Sequence, residues 1–208
     1  MIGIFGGTFD PVHFGHLRAA SEAKERLPLS ELRLLPAGTP PHRSVTYAGA
    51  NDRLSMLRLA LAGHGDLLAD DREVRREGYS YMVDTLSEIR RDEGNVPLLL
   101  LIGQDAANNL DSWHDWKQLF ELAHIVIMRR PDSRDIYSGP LFEEVQPRLV
   151  SEPRQLERSP AGLVLPLEVT QLAIASTDIR RQIASGKSPR FLLPDSVIDY
   201  IHAHGLYR

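Results

Sequence analysis

Short apolar runs that alternate with helical patterns constrain the fold of this chain more than any other feature. Five runs of four to six residues are predicted as strands, at 1–5, 31–36, 66–69, 97–102 and 124–128. Helical patterns lie between or after them, at 17–27, 51–61, 80–91, 176–184 and 195–204. Strands that alternate with helices predict a mostly parallel sheet with helices on both faces. The expected fold class is therefore α/β, Rossmann-like and doubly wound.

The alternation of strand and helix patterns stops over residues 132–165, which contain several prolines and mixed charges and show no regular hydrophobic period. This composition predicts a long loop or insert, with a final edge strand at Leu163–Leu165. A length of 208 residues with 42% hydrophobic residues suits one domain, 1–208, with a sizeable core.

Composition narrows the classes of protein to consider. The formal net charge of −4 argues against a general nucleic-acid binder, which would carry a basic surplus. Cysteine is absent, so neither disulfides nor thiolate chemistry is available. No apolar run approaches the length of a membrane span, and the N-terminus starts on a strand without a basic signal-peptide region. We therefore expect a cytoplasmic protein that binds neither membrane nor nucleic acid. The sequence does not indicate its oligomeric state.

A glycine-rich turn between the first strand and the first helix carries two histidines. It reads Gly6-Gly-Thr-Phe-Asp-Pro-Val-His-Phe-Gly-His16. Glycines let backbone N–H groups approach a phosphate closely, and the helix N-terminus adds partial positive charge. His13 and His16 are three residues apart and face the same side of the helix. The pattern indicates chemistry at phosphorus.

Other interpretations of this turn are weaker. The spacing is not that of a redox dinucleotide fingerprint, and the GK[ST] ending of a P-loop is missing. A zinc pair or two ordinary surface histidines stay possible from the turn alone.

Several further polar loops follow predicted strands and should reach the same rim of a parallel sheet. They are the turn at 6–7, the loop at 40–43, Gly103-Gln-Asp105 and Arg129-Arg130. A second cluster, Ile174-Ala-Ser-Thr-Asp-Ile-Arg180, brings two hydroxyls, a helix start and a guanidinium together. These groups suit one phosphate, although Ser176 and Thr177 are also ordinary N-cap residues.

Together these motifs resemble the nucleotidylyltransferase superfamily, whose histidine motif is HxGH. The segments 40–43, 78–86 and 102–105, with Trp113, 129–131 and the C-terminal 200–207, are similar to the bacterial nicotinate-nucleotide adenylyltransferase family. The resemblance implies that nicotinate mononucleotide and ATP give deamido-NAD and pyrophosphate. It also implies Mg²⁺, carried mainly by the ATP phosphates, with no metal ligands on the protein.

The resemblance further implies which residues form the site. Catalysis is expected from His13, His16 and Arg180. ATP is expected to contact Gly6, Gly7, Thr8, Phe9, His13, His16, Gly103, Asp105, Ser176, Thr177 and Arg180. Nicotinate mononucleotide is expected to contact His42, Arg43, Met82, Asp84, Thr85 and Trp113.

Several of these residues have plain structural alternatives. Asp105 could cap a helix, Arg43 could be a solvated loop residue, and Asp84 and Thr85 could mark a helix start. Trp113 and Trp116, at helical spacing, could belong to the core. Met82 stands where the family pattern has threonine. If this position binds the nicotinate carboxylate through its backbone N–H, methionine should be tolerated. If the threonine hydroxyl is required, selectivity for the acid over the amide is not assured.

The competing functions are a sister transferase and a nucleotide-binding regulator. The sister enzyme would use nicotinamide mononucleotide, phosphopantetheine or a cytidylyl donor. A regulator would not need the complete set of residues that stabilise a transition state. A scaffold would leave the clusters on the rim unexplained.

Overall fold

One parallel sheet of six strands organises the chain in a computed structural model that describes residues 1–41, 46–129 and 138–208. The strand order is β3-β2-β1-β4-β5-β6, and every neighbouring pair is parallel. The strands are β1 (Ile2–Gly7), β2 (Glu31–Pro36), β3 (Leu67–Ala69), β4 (Leu98–Gly103), β5 (His124–Arg129) and β6 (Val164–Glu168).

Helices connect the strands and cover both faces of the sheet. They are α1 (Phe14–Arg26), α2 (Ala50–Ala60), α3 (Arg72–Arg75), α4 (Met82–Glu93), α5 (Gln104–Ala107), α6 (Leu119–Leu122), α7 (Gly139–Val145), α8 (Ser176–Ala184) and α9 (Asp195–Ala203). The predicted strands and long helices are confirmed, with ends displaced by at most three residues. The parallel sheet with helices on both faces confirms the expected doubly wound α/β class.

Side chains of successive strand residues enter two separate cores. Leu98 and Leu100 of β4 pack on one side, with α4, α5, α6 and α7, whereas Leu99 and Leu101 pack on the other, with α1, α2, α8 and α9. Because both faces of the strand are buried, its sequence is apolar throughout instead of alternating with polar residues.

The strand order reverses between β1 and β4. The chain runs outward from β1 through β2 to β3, then returns to β4 on the other side of β1. In open parallel sheets, ligands bind in the crevice at the carboxyl ends of the strands where this reversal occurs. Gly7 and Gly103 end the two strands here, which places the histidine turn and the Gly103–Asp105 segment beside one crevice.

The expectation of a long loop over 132–165 is wrong for the part from residue 138 onward. Helix α7 and two 3₁₀ helices, Gln146–Arg148 and Pro153–Arg158, occupy most of it. Prolines stand in the first turns of all three, where a missing N–H costs nothing, so these prolines start helices and do not break them. The predicted edge strand at 163–165 is confirmed as β6, at the sheet edge beside β5.

Within the described residues, no helix is long and apolar enough to span a membrane.

Candidate active site

The two histidines of the glycine-rich turn form a stacked pair at the start of α1. His13 is the N-cap residue and His16 lies in the first turn. Their ring centroids are 3.7 Å apart at an interplanar angle of 23°. The buried ring of Phe9 contacts His16 edge-on, with centroids 5.0 Å apart. The predicted common facing of the histidines is confirmed. The Phe9 side chain packs against His16 and is buried, so its ring is not exposed to a nucleotide, contrary to the expected contact with ATP.

Two glycines of the turn are required by close contacts with these rings. A Cβ atom on Gly15 would lie 2.9 Å from Cε1 and Nδ1 of His13. A Cβ atom on Gly7 would lie 2.9 Å from Cζ of Phe9. Side chains at these positions would therefore displace the rings that define the site.

Burial keeps both imidazoles neutral at physiological pH. Desolvation lowers the pKa of His13 to about 4. Desolvation, and then the charge of His13, lowers the pKa of His16 to about 3. The backbone N–H of His13 donates to Nδ1 of His16 at 3.3 Å, which leaves the proton of the neutral His16 ring on Nε2. His16 can therefore act as a hydrogen-bond donor without a prior charge.

A fully buried arginine holds the loops around the turn. Nη1 of Arg53 donates to the carbonyl of Thr8 at 2.8 Å and Nη2 donates to that of Gly38 at 3.0 Å. Nε donates to the carbonyl of Ala48 at 3.2 Å. Residue 53 occupies the apolar stripe of α2 with Met56, Leu57 and Ala60, at helical spacing. An arginine at an apolar position of a helix is the sequence signal for such a buried side chain, and the sequence analysis did not use it.

A cavity of about 190 Å³ opens beside the histidine turn, at the carboxyl ends of β1 and β4. Its walls come from the turn, the loop after β2, α3, the segment before α4, β4 and the segment after α5. They include Gly6, Gly7, Thr8, Ala37, Pro41, Glu73, Ser80, Tyr81, Met82, Ile102, Trp113 and His114. Pockets for drug-sized ligands measure about 300–1,000 Å³, so this cavity suits one ring of a larger ligand.

Aromatic side chains form one wall of this cavity. Trp113 lies between two 3₁₀ helices, Leu110–Ser112 and Trp116–Gln118, and not on the single helix that its spacing with Trp116 suggested. Both indoles are half-buried and pack against the core beneath α4, as the core alternative predicts, and Trp113 also lines the cavity. The rings of Tyr81 and His114 contact each other at 4.3 Å on the same wall. Sequence reasoning did not single out this pair, because nothing in the chain marks residues 73–81 and 114 as neighbours.

Helix α4 presents its N-terminus to the cavity. Met82 is its first residue, and the first helical hydrogen bond runs from Thr85 N–H to the Tyr81 carbonyl at 3.2 Å. The N–H groups of Met82 and Val83 precede that bond and have no helical partner. They offer hydrogen bonds and partial positive charge to an anionic group.

Thr85 and Asp84 do not line the cavity, and the burial of Thr85 corrects the expectation that its side chain contacts substrate. Thr85 is completely buried, and its hydroxyl donates to Oε1 of Glu73 at 2.7 Å while accepting from Nη1 of Arg76 at 2.9 Å. Asp84 is exposed in the first turn of α4, as its helix-start alternative predicts. Glu73 does line the cavity, and desolvation raises the pKa of its carboxyl, which favours the uncharged form.

The start of α8 lies against the histidine turn. The Ser176 hydroxyl donates to the carbonyl of Pro11 at 3.0 Å. Nη1 of Arg180 donates to the carbonyl of Asp10 at 2.6 Å, and Nη2 donates to the Thr177 hydroxyl at 3.3 Å. The N-cap position belongs to Ala175, so the alternative that Ser176 or Thr177 caps the helix is wrong. Ser176 joins the two elements instead.

Gly103 ends β4, and Asp105 is exposed in the first turn of the short helix α5. Asp105 does not cap that helix, whose N-cap residue is Gly103. The predicted contacts His42 and Arg43 lie outside the described residues. Within residues 1–41, 46–129 and 138–208, no group of three or more His, Cys, Asp or Glu side chains could hold a metal ion.

Comparison with known proteins assigns the family. The cytidylyltransferase-like family model matches residues 4–182. A probable nicotinate-nucleotide adenylyltransferase of Methylococcus capsulatus is 53% identical, over 100% of this chain and 99% of that protein. A probable nicotinate-nucleotide adenylyltransferase of Pseudomonas fluorescens is 46% identical, over 100% of this chain and 97% of that protein. The solved structure of Plasmodium falciparum nicotinic acid mononucleotide adenylyltransferase complexed with NaAD has a TM-score of 0.75 at 16% identity, covering 99% of this chain and 96% of that one. That likeness supports the fold.

Proposed function

Since this chain belongs to the nicotinate-nucleotide adenylyltransferase family, we propose that it transfers the adenylyl group of ATP to nicotinate mononucleotide. The products are deamido-NAD and pyrophosphate. One observation carries the proposal: Gly6, Gly7 and Thr8 belong both to the glycine-rich histidine turn and to the wall of the aromatic cavity. A pyridine ring in the cavity therefore has its phosphate at the turn, beside the stacked histidines.

The triphosphate end of the site is assigned to the histidine turn and the start of α8. Backbone N–H groups of the turn, Thr8 and the N-terminus of α1 hold phosphate oxygens. Ser176, Thr177 and Arg180 approach from α8, whose contacts with Asp10 and Pro11 fix their position. Gly103 and Asp105, across the crevice, are assigned to the adenosine ribose.

The nicotinate end is assigned to the cavity. Trp113 stacks on the pyridine ring, and the N–H groups of Met82 and Val83 bind the nicotinate carboxylate at the start of α4. This arrangement does not need the threonine hydroxyl that Met82 replaces. Because the pKa of Glu73 is raised, its carboxyl repels that anion less than an ordinary glutamate would.

The chemical step is a direct in-line transfer. A phosphate oxygen of the mononucleotide forms a bond to the α-phosphorus of ATP. The bond from that phosphorus to the bridging oxygen breaks, and its electron pair leaves with pyrophosphate. Positioning and charge neutralisation supply the catalysis, so no covalent enzyme intermediate forms.

His13 and His16 stabilise the charge that develops during this transfer. Nε2–H of His16 donates to a phosphate oxygen, and the approach of phosphate charge raises the pKa of both rings above their values in the free protein. The nucleotide substrate is MgATP, in which Mg²⁺ is carried by the phosphates.

The decisive test is the substitution His16→Ala, with exposed His64→Ala as the matched control. We expect kcat for pyrophosphate release to fall about 100-fold or more, while the Kd for ATP changes by no more than about threefold. Equal losses of turnover and ATP affinity would instead assign a binding role. Isolation of an adenylylated protein after incubation with ATP alone would exclude direct transfer.

A further inference from the structure

The penultimate residue of the chain is anchored under the nucleotide-binding turn. The hydroxyl of Tyr207 donates to Oδ1 of Asp10 at 2.7 Å, and both side chains are buried. Burial, and then the charge of Asp10, raises the pKa of Tyr207, so the phenol keeps the proton that it donates. Tyr207 has a φ of +62°, a left-handed conformation that non-glycine residues adopt at a cost. The C-terminus is thus held in a strained turn that delivers this hydroxyl.

Asp10 is the point where several loops meet. Its carboxylate also accepts hydrogen bonds from the backbone N–H groups of Tyr47 at 2.8 Å and Ala48 at 3.1 Å. Three donors from two distant parts of the chain therefore hold one buried carboxylate. The positive charge of buried Arg53 lies close enough to interact favourably with Asp10.

The backbone of Asp10 continues this network to the proposed phosphate-binding groups. Its carbonyl accepts from Nη1 of Arg180 at 2.6 Å. The guanidinium of Arg180 also lies over the ring of Tyr47, 4.2 Å from the centroid. Tyr47, Thr177, Arg180 and Tyr207 line one surface depression. Asp10 thus holds Arg180 directly through its carbonyl and indirectly through Tyr47.

We propose that Tyr207 is a positioning residue for adenylyl transfer: its hydrogen bond to Asp10 sets the orientation of Arg180 toward the ATP phosphates. The inference rests on the proposed function. Tyr207 itself does not contact the reacting atoms. It acts through the carboxylate that fixes Tyr47 and through the peptide unit to which Arg180 donates.

The test is Tyr207→Phe, which keeps the buried ring and removes only the hydroxyl. Tyr200→Phe is the matched control, because the Tyr200 hydroxyl also donates to an aspartate, Asp52, at 3.0 Å. That pair joins α9 to α2 and does not contact Asp10 or Arg180. Both variants are measured for kcat, for KM with MgATP and nicotinate mononucleotide, and for resistance to denaturant.

We expect Tyr207→Phe to lower kcat/KM for MgATP on the order of 10-fold, while KM for nicotinate mononucleotide stays within about twofold. Tyr200→Phe should leave kcat/KM for MgATP and KM for nicotinate mononucleotide within about twofold of wild type, even if it loses as much stability as Tyr207→Phe. In an Arg180→Ala background, the additional effect of Tyr207→Phe on kcat/KM should disappear.

Equal kinetics of the two tyrosine variants, or an undiminished effect of Tyr207→Phe without Arg180, would overturn the inference. Failure of the wild-type protein to form deamido-NAD would instead reject the proposed function, so the two failures are distinguishable. If Tyr207→Phe lowers both substrates' kcat/KM in proportion to its loss of folded protein, the hydroxyl is merely structural and the inference is rejected as well.

Discussion

Acid should destabilise this protein through its active-site histidines. The unfolded chain takes up protons on His13 and His16 below the ordinary pKa of 6.5, whereas the folded protein keeps them neutral down to about 4 and about 3. Since the unfolded state then binds more protons, stability is complete above pH 6.5 and falls as the pH decreases toward these folded-state values.

The size of the effect follows from the two shifts. Each pH unit below 6.5 lowers the free energy of unfolding by about 1.4 kcal/mol per histidine, so at pH 5 each ring has lowered it by about 2 kcal/mol. Both rings are still neutral in the folded protein at pH 5, so their contributions add to about 4 kcal/mol. Because small domains are stable by only about 5–15 kcal/mol, the loss is readily measured.

The assay is denaturant unfolding at pH 7.5 and pH 5, followed by tryptophan fluorescence. Burial also lowers the pKa of His124, so the quantity of interest is the difference between wild type and the double variant His13→Asn/His16→Asn. The double variant should lose about 4 kcal/mol less than wild type on acidification. Exposed His64→Asn should behave as wild type. An identical pH-dependent loss in the double variant and wild type would refute the argument that the folded protein keeps this pair neutral.

Three further substitutions test how the site is built. Gly15→Ala, whose Cβ would lie 2.9 Å from the His13 ring, should lower kcat for pyrophosphate release about 10–100-fold, and a value within about twofold of wild type would contradict the required close contact. Thr85→Val removes the hydroxyl that donates to Glu73, so urea unfolding should show a loss of about 1–3 kcal/mol while KM for nicotinate mononucleotide changes less than about threefold; the reverse pattern would restore a substrate contact to Thr85. Arg53→Met leaves three loop carbonyls without their donor and should destabilise the fold by about 3 kcal/mol or more in the same assay, whereas unchanged stability would show that Arg53 does not hold these loops together.

The sequence predicts most of the sheet because its signal is local. A central strand such as Leu98–Gly103 is buried on both faces, so its apolar run is visible without knowledge of its neighbours. The histidine pair is predictable for a similar reason. Its geometry depends on a turn of eleven consecutive residues at 6–16 and on the start of one helix.

The cavity wall is not predictable in this way, because it is assembled from distant loops. Glu73 of α3, Tyr81 before α4 and His114 after α5 become neighbours only when the sheet places these segments side by side. Burial also separates residues of one motif: Thr85 turns into the protein while Met82, three residues earlier, lines the cavity. A motif shows which segment reaches the site, but the fold decides which of its side chains face the ligand.

The most direct test of the account is the identity of the product formed from MgATP. The protein is incubated with nicotinate mononucleotide, with its amide and with phosphopantetheine in parallel, and both pyrophosphate and the nucleotide product are measured. We predict deamido-NAD and pyrophosphate in equal amounts with the acid, and a lower kcat/KM with the amide, because the N–H groups at the start of α4 favour an anion. Pyrophosphate release with phosphopantetheine but with neither mononucleotide, or no release with any of the three compounds, would contradict the proposed function.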